Sequence, residues 1–570
     1  MPARTGALGT FSHPVRDARR GAANFRIVSA WDTRRIRKNQ RLARAASYVR
    51  SGVFESRDAV AVLESVLEPG DRVCVEGNNQ KQADFLSRAL ASVDSERVHD
   101  LHLLISVLGR PEHIELFERG IASQVDFSFS GPQSLRLAQQ VADGRVRIGA
   151  IHTYLELFAR YFVDLTPDIA LVAADEADAS GNLYTGSNTE ETPTIVEATA
   201  FRNGVVIAQV NRIVDRVTRV DVPGDWVDLV VVADHPYEIE PLFTRDPEQI
   251  DDVQILMAMM VVRGIYERHR VRTLNHGIGF DTAAIELILP TYGERLGLRG
   301  KICTNWVLNP HPTLIPAIES GWVQSVHSFG GELGMERYVA ARPDVFFTGR
   351  DGSLRSNRAL SQNAGMYATD LFIGSTLQMD VDANSSTATL GRIAGFGGAP
   401  NLGSDPRGRR HPSHSWLEMT SAAPEIRRGR KIVVQLVQTF RESGVPTFVE
   451  RLDAVELGRT AGFPITPVMI YGDDVTHVVT EEGIAYLYKA RDADERRAAL
   501  AAIAGVTPVG LLADGARTQE LRRDGVVAFP EDLGVVRSEA NRSLLAARSM
   551  RDLVTWSGGL YEPPKRFRSW

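Results

Sequence analysis

Four glycines fall within eight residues in the run Gly391-Arg392-Ile393-Ala394-Gly395-Phe396-Gly397-Gly398-Ala399-Pro400. Glycine removes the side chain where something must approach the backbone closely. The N–H groups so uncovered can hold a phosphate, stabilise a reacting thioester, or serve only the turn. Two other runs share this character: Gly77-Asn78-Asn79, followed by Gln80 and Lys81, and Asn275-His276-Gly277-Ile278-Gly279-Phe280. Each stands where a short apolar run gives way to a helical pattern, and a helix N-terminus favours anions. Lys81 and His276 are the cationic candidates beside these loops. Glu76 is a candidate covalent nucleophile, but its neighbours read as the end of a strand. His311, His327 and His477 are scattered without metal-ligand spacing, so no metal site is expected.

These loops need strands that end side by side. Short apolar runs predict strands at 73–76, 101–107, 125–129, 148–151, 169–173, 205–210 and 227–232, separated by helical patterns such as 80–93 and 132–141. A polar stretch with three prolines at 234–247 marks a boundary. Beyond it a helix over 247–266 leads to a strand at 271–274, a glycine loop and a helix capped by Asp281-Thr282. That order repeats the one at 73–93. Later strands are expected at 432–437 and 475–479, with an amphipathic helix over 494–504. Strands alternating with helices predict an α/β protein of two related open domains with mainly parallel sheets and the active site at their interface. The expected division is a disordered or extended basic tail at 1–30, one domain at 31–240 and another at 241–570.

The composition, 43% hydrophobic and 24% charged over 570 residues, is that of a globular protein of two or more domains. No apolar run approaches the length of a membrane span. The net charge of −6 does not suggest nucleic-acid binding. The two cysteines, Cys74 and Cys303, sit in separate apolar runs and read as buried thiols in a reducing compartment. The first fifty residues hold twelve Lys or Arg against two Asp or Glu. Such a segment reads as a transit peptide, a basic arm for an acidic partner, or a solvated helix after a frayed tail. With no secretory h-region, the expected location is cytoplasmic.

Several ordered motifs resemble CoA-transferases: Pro69-Gly70-Asp71-Arg72-Val73, the loop Gly77-Asn78-Asn79, Asp178-Ala179-Ser180-Gly181-Asn182, the loop 395–398, Thr480-Glu481-Glu482-Gly483 and Glu495-Arg496. The runs Glu76-Gly77-Asn78-Asn79-Gln80-Lys81-Gln82, His152-Thr153-Tyr154-Leu155-Glu156, Asn275-His276-Gly277-Ile278-Gly279 and Tyr471-Gly472-Asp473-Asp474 are similar to the alpha subunit of malonate decarboxylase. The citrate lyase alpha chain is a more distant likeness.

The resemblance implies an acyl-carrier-protein transferase that exchanges acetyl for malonyl on a carrier thioester, releasing acetate. It implies a carrier protein and decarboxylase subunits as partners. No cofactor would be bound directly; the enzyme would act on the carrier's CoA-like, phosphopantetheine-type prosthetic group. CoA-transferases of this kind use a glutamate after the second glycine loop. The corresponding run, Lys301-Ile302-Cys303-Thr304-Asn305-Trp306, has none, and Asn305 is the expected replacement. Without a glutamate the malonate carboxylate would attack the thioester directly and form a mixed anhydride.

On this reading Gly397, Gly398 and Ala399 form one thioester-facing wall and Gly77, Asn78 and Asn79 the other. Gln80, Lys81, His276, Gly277, Gly279, Gly395 and Phe396 contact substrate. Two rival readings remain: a general CoA-transferase or acyl-CoA hydrolase using an enzyme glutamate, and a non-catalytic scaffold or ligand sensor.

Overall fold

The computed structural model describes residues 30–78, 81–237, 246–404, 414–422, 430–441 and 444–568. Asn79, Gln80, nearly all of the expected tail and the expected boundary at 240/241 lie outside the described residues.

The first half is built on a ten-stranded sheet. Its parallel strands are β1 (Arg72–Val75), β2 (Leu101–Val107), β3 (Ala122–Phe129), β4 (Arg147–Ile151), β5 (Ile169–Asp178), β7 (Val205–Val214) and β8 (Leu229–Val232). They lie in the order β8-β7-β5-β1-β2-β3-β4. Val73 pairs with Ile169 on one side and Leu103 on the other. Central strands such as β2 and β5 are near-continuous apolar runs because helices cover both faces of a parallel sheet. A short strand β6 (Asn188–Glu190) stands apart from this sheet.

The second half repeats the design on an eight-stranded sheet. Its parallel core runs from the edge strand Ser325–His327 through β10 (Asn305–Val307), β9 (Thr273–His276), β12 (Leu371–Ser375) and β13 (Ile432–Leu436) to β14 (His477–Val479). Two antiparallel strands finish the edge. Strand β11 (Leu354–Asn357) reaches back to pair in parallel with β6 and links the halves.

The helices that matter to the site are α2 (Asp84–Ala91), α3 (Ser134–Ala142), α4 (Tyr154–Val163), α5 (Phe280–Ile288), α6 (Arg358–Ala368) and the single turn α7 (Ala399–Leu402). The basic N-terminal segment contributes α1 (Ala30–Ala45), and its cations are engaged within the chain. Arg34 pairs with Asp168, Arg37 with Glu68 and Asp71, Lys38 with Asp228, and Arg44 with Glu68. Buried Arg41 grips Asp71 with both Nη atoms, at 2.5 and 2.7 Å. This fork fixes the helix to the Pro69–Asp71 turn, so the described part of the segment acts as a strap, not a free basic arm.

Among the described residues no helix is long and apolar enough to cross a membrane. Both cysteines are buried free thiols.

Candidate functional site

A cavity of about 630 Å³ opens between the halves, at the carboxyl ends of both sets of parallel strands. Gly109, Phe129 and Tyr154 reach it from the first half. Asn275, His276 and Gly277 close β9 against it; Leu308, Asn309 and His311 follow β10; Gly374 and Ser375 end β12. Arg358 and Gln362 lie one turn apart on α6, and the loop Gly395–Ala399 forms a further wall. Among the described residues no Asp or Glu lines this cavity.

The glycine loop is docked on the first sheet. Gly395 bridges Phe129, and the Ser128 carbonyl accepts from the N–H groups of Phe396 and Gly397 at 2.6 and 2.9 Å. Tyr154 N–H donates to the Gly397 carbonyl at 3.2 Å. Gly395 and Gly397 take φ of +79° and +58°, in the left-handed region that side chains avoid. A Cβ at Gly395 would also stand 2.5 Å from the Ser128 carbonyl oxygen. This docking corrects the expected oxyanion wall. The Gly397 N–H is taken by Ser128, and the Ala399 N–H donates to the Phe396 carbonyl at 3.2 Å. The Gly398 N–H has no acceptor among the described residues.

Of the expected second wall, Gly77 and Asn78 do not line the cavity. Asn78 exchanges two hydrogen bonds with the Lys81 backbone. Lys81 is buried: its Nζ donates to Thr192 Oγ1 at 2.5 Å and stands 3.8 Å from Glu76 Oε1. Burial lowers the Lys81 pKa and raises that of Glu76, each partly offset by the other's charge. Desolvation is tolerable here because the two are paired. Lys81 is therefore an internal counter-ion, and neither Gly77, Asn78 nor Lys81 lines the cavity.

Asn305 is displaced as well. It begins β10, with Oδ1 accepting from Ser325 and Nδ2 donating to Thr304. The cavity lies past the other end of that strand, where Asn309 stands. Asn309 is 9% exposed, and its side-chain Oδ1 is buried with no hydrogen-bond partner among the described residues. Gly277 lines the cavity, but its N–H donates to Ile373 at 2.7 Å, and Gly279 does not line it. A Cβ at Gly277 would meet Gly374 Cα at 3.1 Å, so this glycine serves the packing of β9 against β12.

His276 does line the cavity, but its ring is committed: Nδ1 is 3.0 Å from Glu286 and Nε2 is 2.7 Å from Tyr266 OH. Gly395 and Phe396 line the cavity.

The sequence reading missed Tyr154, Asn309, Arg358 and Gln362. Arg358 packs over the Tyr154 ring at 4.9 Å and pairs with buried Glu190 at 2.7 Å. Burial works against its charge, yet Glu190 and its neighbours hold the Arg358 pKa above its ordinary value. Burial raises the Tyr154 phenol to about 12, keeping it neutral. Glu191, beside this pair, is pushed up to about 8 by burial, with Arg358 only partly offsetting it. Its Oε1 accepts from Ser106, and its Oε2 has no partner among the described residues.

Two open α/β sheets sharing a ligand-sized cavity at their strand ends, with a glycine loop from one half docked on the other, define a CoA-transferase-like α/β fold. The fold alone is shared with a structure described as an alpha subunit of citrate lyase from Streptococcus mutans. The TM-score is 0.56 at 17% identity, over 78% of this chain and 81% of that one. The family model "Malonate decarboxylase, alpha subunit, transporter" matches residues 30–570, and the chain belongs to that family. It is 58% identical over 525 residues to the acetyl-S-ACP:malonate ACP transferase of Malonomonas rubra, covering 91% of this chain and 95% of that protein. It also matches a chain of a Pseudomonas malonate decarboxylase hetero-tetramer solved with malonate. That match has a TM-score of 0.91 and 64% identity, over 95% of this chain and 99% of that one.

Proposed function

We infer that this chain is the acyl-carrier-protein transferase of a malonate decarboxylase. It converts acetyl-carrier thioester and malonate into malonyl-carrier thioester and acetate. The substrate arm is the carrier's CoA-like prosthetic group, and the working assembly includes the carrier protein and decarboxylase subunits. The hetero-tetramer to which the Pseudomonas relative belongs supports such an assembly. The division into domains at 31–240 and 241–570 is proposed on the two sheets, one in each part.

One observation carries the chemistry: no Asp or Glu is among the described residues lining the cavity, and a carboxamide, Asn309, whose Oδ1 has no partner among them, stands past the end of β10. Among the described residues lining it there is then no group at hand to form an enzyme anhydride. A malonate carboxylate oxygen attacks the acetyl carbonyl, the C–S bond breaks, and the carrier thiolate leaves with its electron pair. The thiolate then attacks the malonyl carbonyl of the mixed anhydride, and acetate departs with the bridging oxygen.

A glutamate at the Asn309 position would face the malonate dianion. Like charges about 4 Å apart cost about 4 kcal/mol at an effective dielectric near 20. Asparagine avoids that and offers N–H donors. Both additions develop an oxyanion, for which the Gly398 N–H and the Asn309 amide are the proposed donors. Malonyl-CoA formed from acetyl-CoA and carbon-labelled malonate, with matching acetate, tests the exchange. Hydrolysis or exchange with monocarboxylates alone would favour the general CoA-transferase or hydrolase reading.

A further inference from the structure

Behind the cavity wall, side chains from several segments converge on one carboxylate. Glu286, on α5, is wholly buried. Its Oε1 lies 3.0 Å from His276 Nδ1 and 2.9 Å from His311 Nδ1, and its Oε2 accepts from the Thr313 hydroxyl. His276 ends β9, His311 follows β10, and both line the cavity. Among the described residues no Arg or Lys pairs with Glu286. A buried carboxylate without a counter-charge is strongly unfavourable, so the two imidazoles must supply one. Burial alone would raise the Glu286 pKa, but His311 and His276 together hold it well below the carboxylate range.

The rings are not equivalent. His276 Nε2 sits 2.7 Å from Tyr266 OH, and burial keeps that phenol protonated. With Nδ1–H donated to Glu286 and Nε2 accepting from Tyr266, His276 is satisfied as a neutral ring. The proton that balances Glu286 then belongs on His311. We propose that Glu286 is a positioning residue that keeps His311 protonated at the cavity edge, where the imidazolium meets the anion of the reacting pair. That anion is the acceptor carboxylate before transfer or the carrier thiolate as it leaves. The proposal rests on the transferase reading above.

The charged and titratable described residues about this cluster come from several elements. Glu286 faces it from α5, His276 from β9, and Tyr266 from the segment preceding β9. Arg358 on α6 and Tyr154 on α4 share the cavity. Arg358 is paired with Glu190, and Tyr154 stays neutral to about 12. Glu191, beside Arg358 and pushed up to about 8 by burial, titrates in the same range as an imidazole, so a basic limb in the rate is assigned to His311 by its response to the variants below.

The test is the pH dependence of acetyl-CoA–malonate exchange by the full chain. The active form carries the imidazolium, so rate falls as pH rises through the His311 pKa. Glu286→Gln removes the charge and keeps the shape, and should move this basic limb down by about one pH unit or more. Glu286→Asp keeps the charge and should leave the limb in place. A raised KM for malonate in Glu286→Gln assigns the carboxylate as the anion met, and a reduced kcat assigns the thiolate; either supports the proposal. Loss of activity with an unmoved limb would mean a structural role only and overturn it. Because Glu286 is buried, His311→Gln gives an independent reading at the cavity edge. It should abolish the limb, and a retained limb would also overturn the proposal. Absence of exchange in the wild-type chain would instead count against the transferase reading itself.

Discussion

The Ser128 carbonyl and the Gly397 N–H meet at 2.9 Å, tying a loop of the second half to a strand of the first. That bond, with its partner from Phe396, seats the cavity wall. It also removes Gly397 from the set of oxyanion donors and leaves Gly398.

Substitutions at the two neighbouring glycines should therefore separate. A Cβ at Gly398 would stand 2.7 Å from Gln362 Oε1, the movable end of a side chain. Gly398→Val should fold and lose roughly 100- to 1000-fold in exchange rate, as for loss of one oxyanion donor. Gly395→Val meets backbone 2.5 Å away in a left-handed conformation, and should lose stability instead. Melting curves beside turnover decide it; wild-type turnover in a folded Gly398→Val would refute the donor assignment.

Asn309 is the position where charge should matter most. Asn309→Ala should cost roughly 100- to 1000-fold in exchange. Asn309→Asp should do worse against malonate than against a monocarboxylate acceptor, because the added anion repels the second carboxylate. Equal losses for both acceptors would contradict the placement.

Lys81 answers to stability, not substrate. Lys81→Met leaves Glu76 buried without its ammonium and should cost about 3 to 5 kcal/mol at neutral pH. The loss should shrink on acidification, because Glu76, whose pKa burial already raises, takes a proton. Adding Glu76→Gln should recover most of it. Denaturant unfolding measures this, and a raised KM for malonate with unchanged stability would restore Lys81 to the substrate site.

Acid should destabilise the fold early. His113 is buried and depressed to about 3 by burial first and Arg110 second, and burial keeps His477 well below its ordinary value as well. Such groups bind their proton in the unfolded chain only, so stability falls as pH drops below the unfolded value near 6.5. His113 alone should cost about 2 kcal/mol by pH 5. His152, whose pKa is raised by Asp126 against the effect of burial, acts oppositely, but its contribution is already complete below that pH. Unfolding free energies that stay flat from pH 7 to 5 would contradict these neutral burials.

Much of the frame was legible. β2 falls on the expected 101–107, and β5 begins at Ile169 as expected, because strands buried on both faces are unbroken apolar runs. The loop at 395–399 announced itself by glycines that its left-handed turns and its approach to Ser128 require. The sequence points to Asn305 whereas Asn309 lines the cavity, because β10 has only three residues and a proline-rich exit, so its spacing does not say which end meets the cavity. Lys81 looked like a ligand group because its partner Thr192 is 111 residues away, a distance that no local pattern conveys. Arg358 and Gln362 carried one faint signal, their four-residue spacing after a strand.

The central claim is that malonate's own carboxylate opens the thioester. It is tested by a single turnover with enzyme in excess, an acetyl thioester and malonate labelled with 18O in its carboxylates. Direct attack leaves the bridging oxygen on acetate, so acetate from the first turnover should carry one 18O. Unlabelled acetate in that turnover, with an enzyme-bound thioester trapped by borohydride, would mean that a protein carboxylate supplied the oxygen, and the account would be wrong.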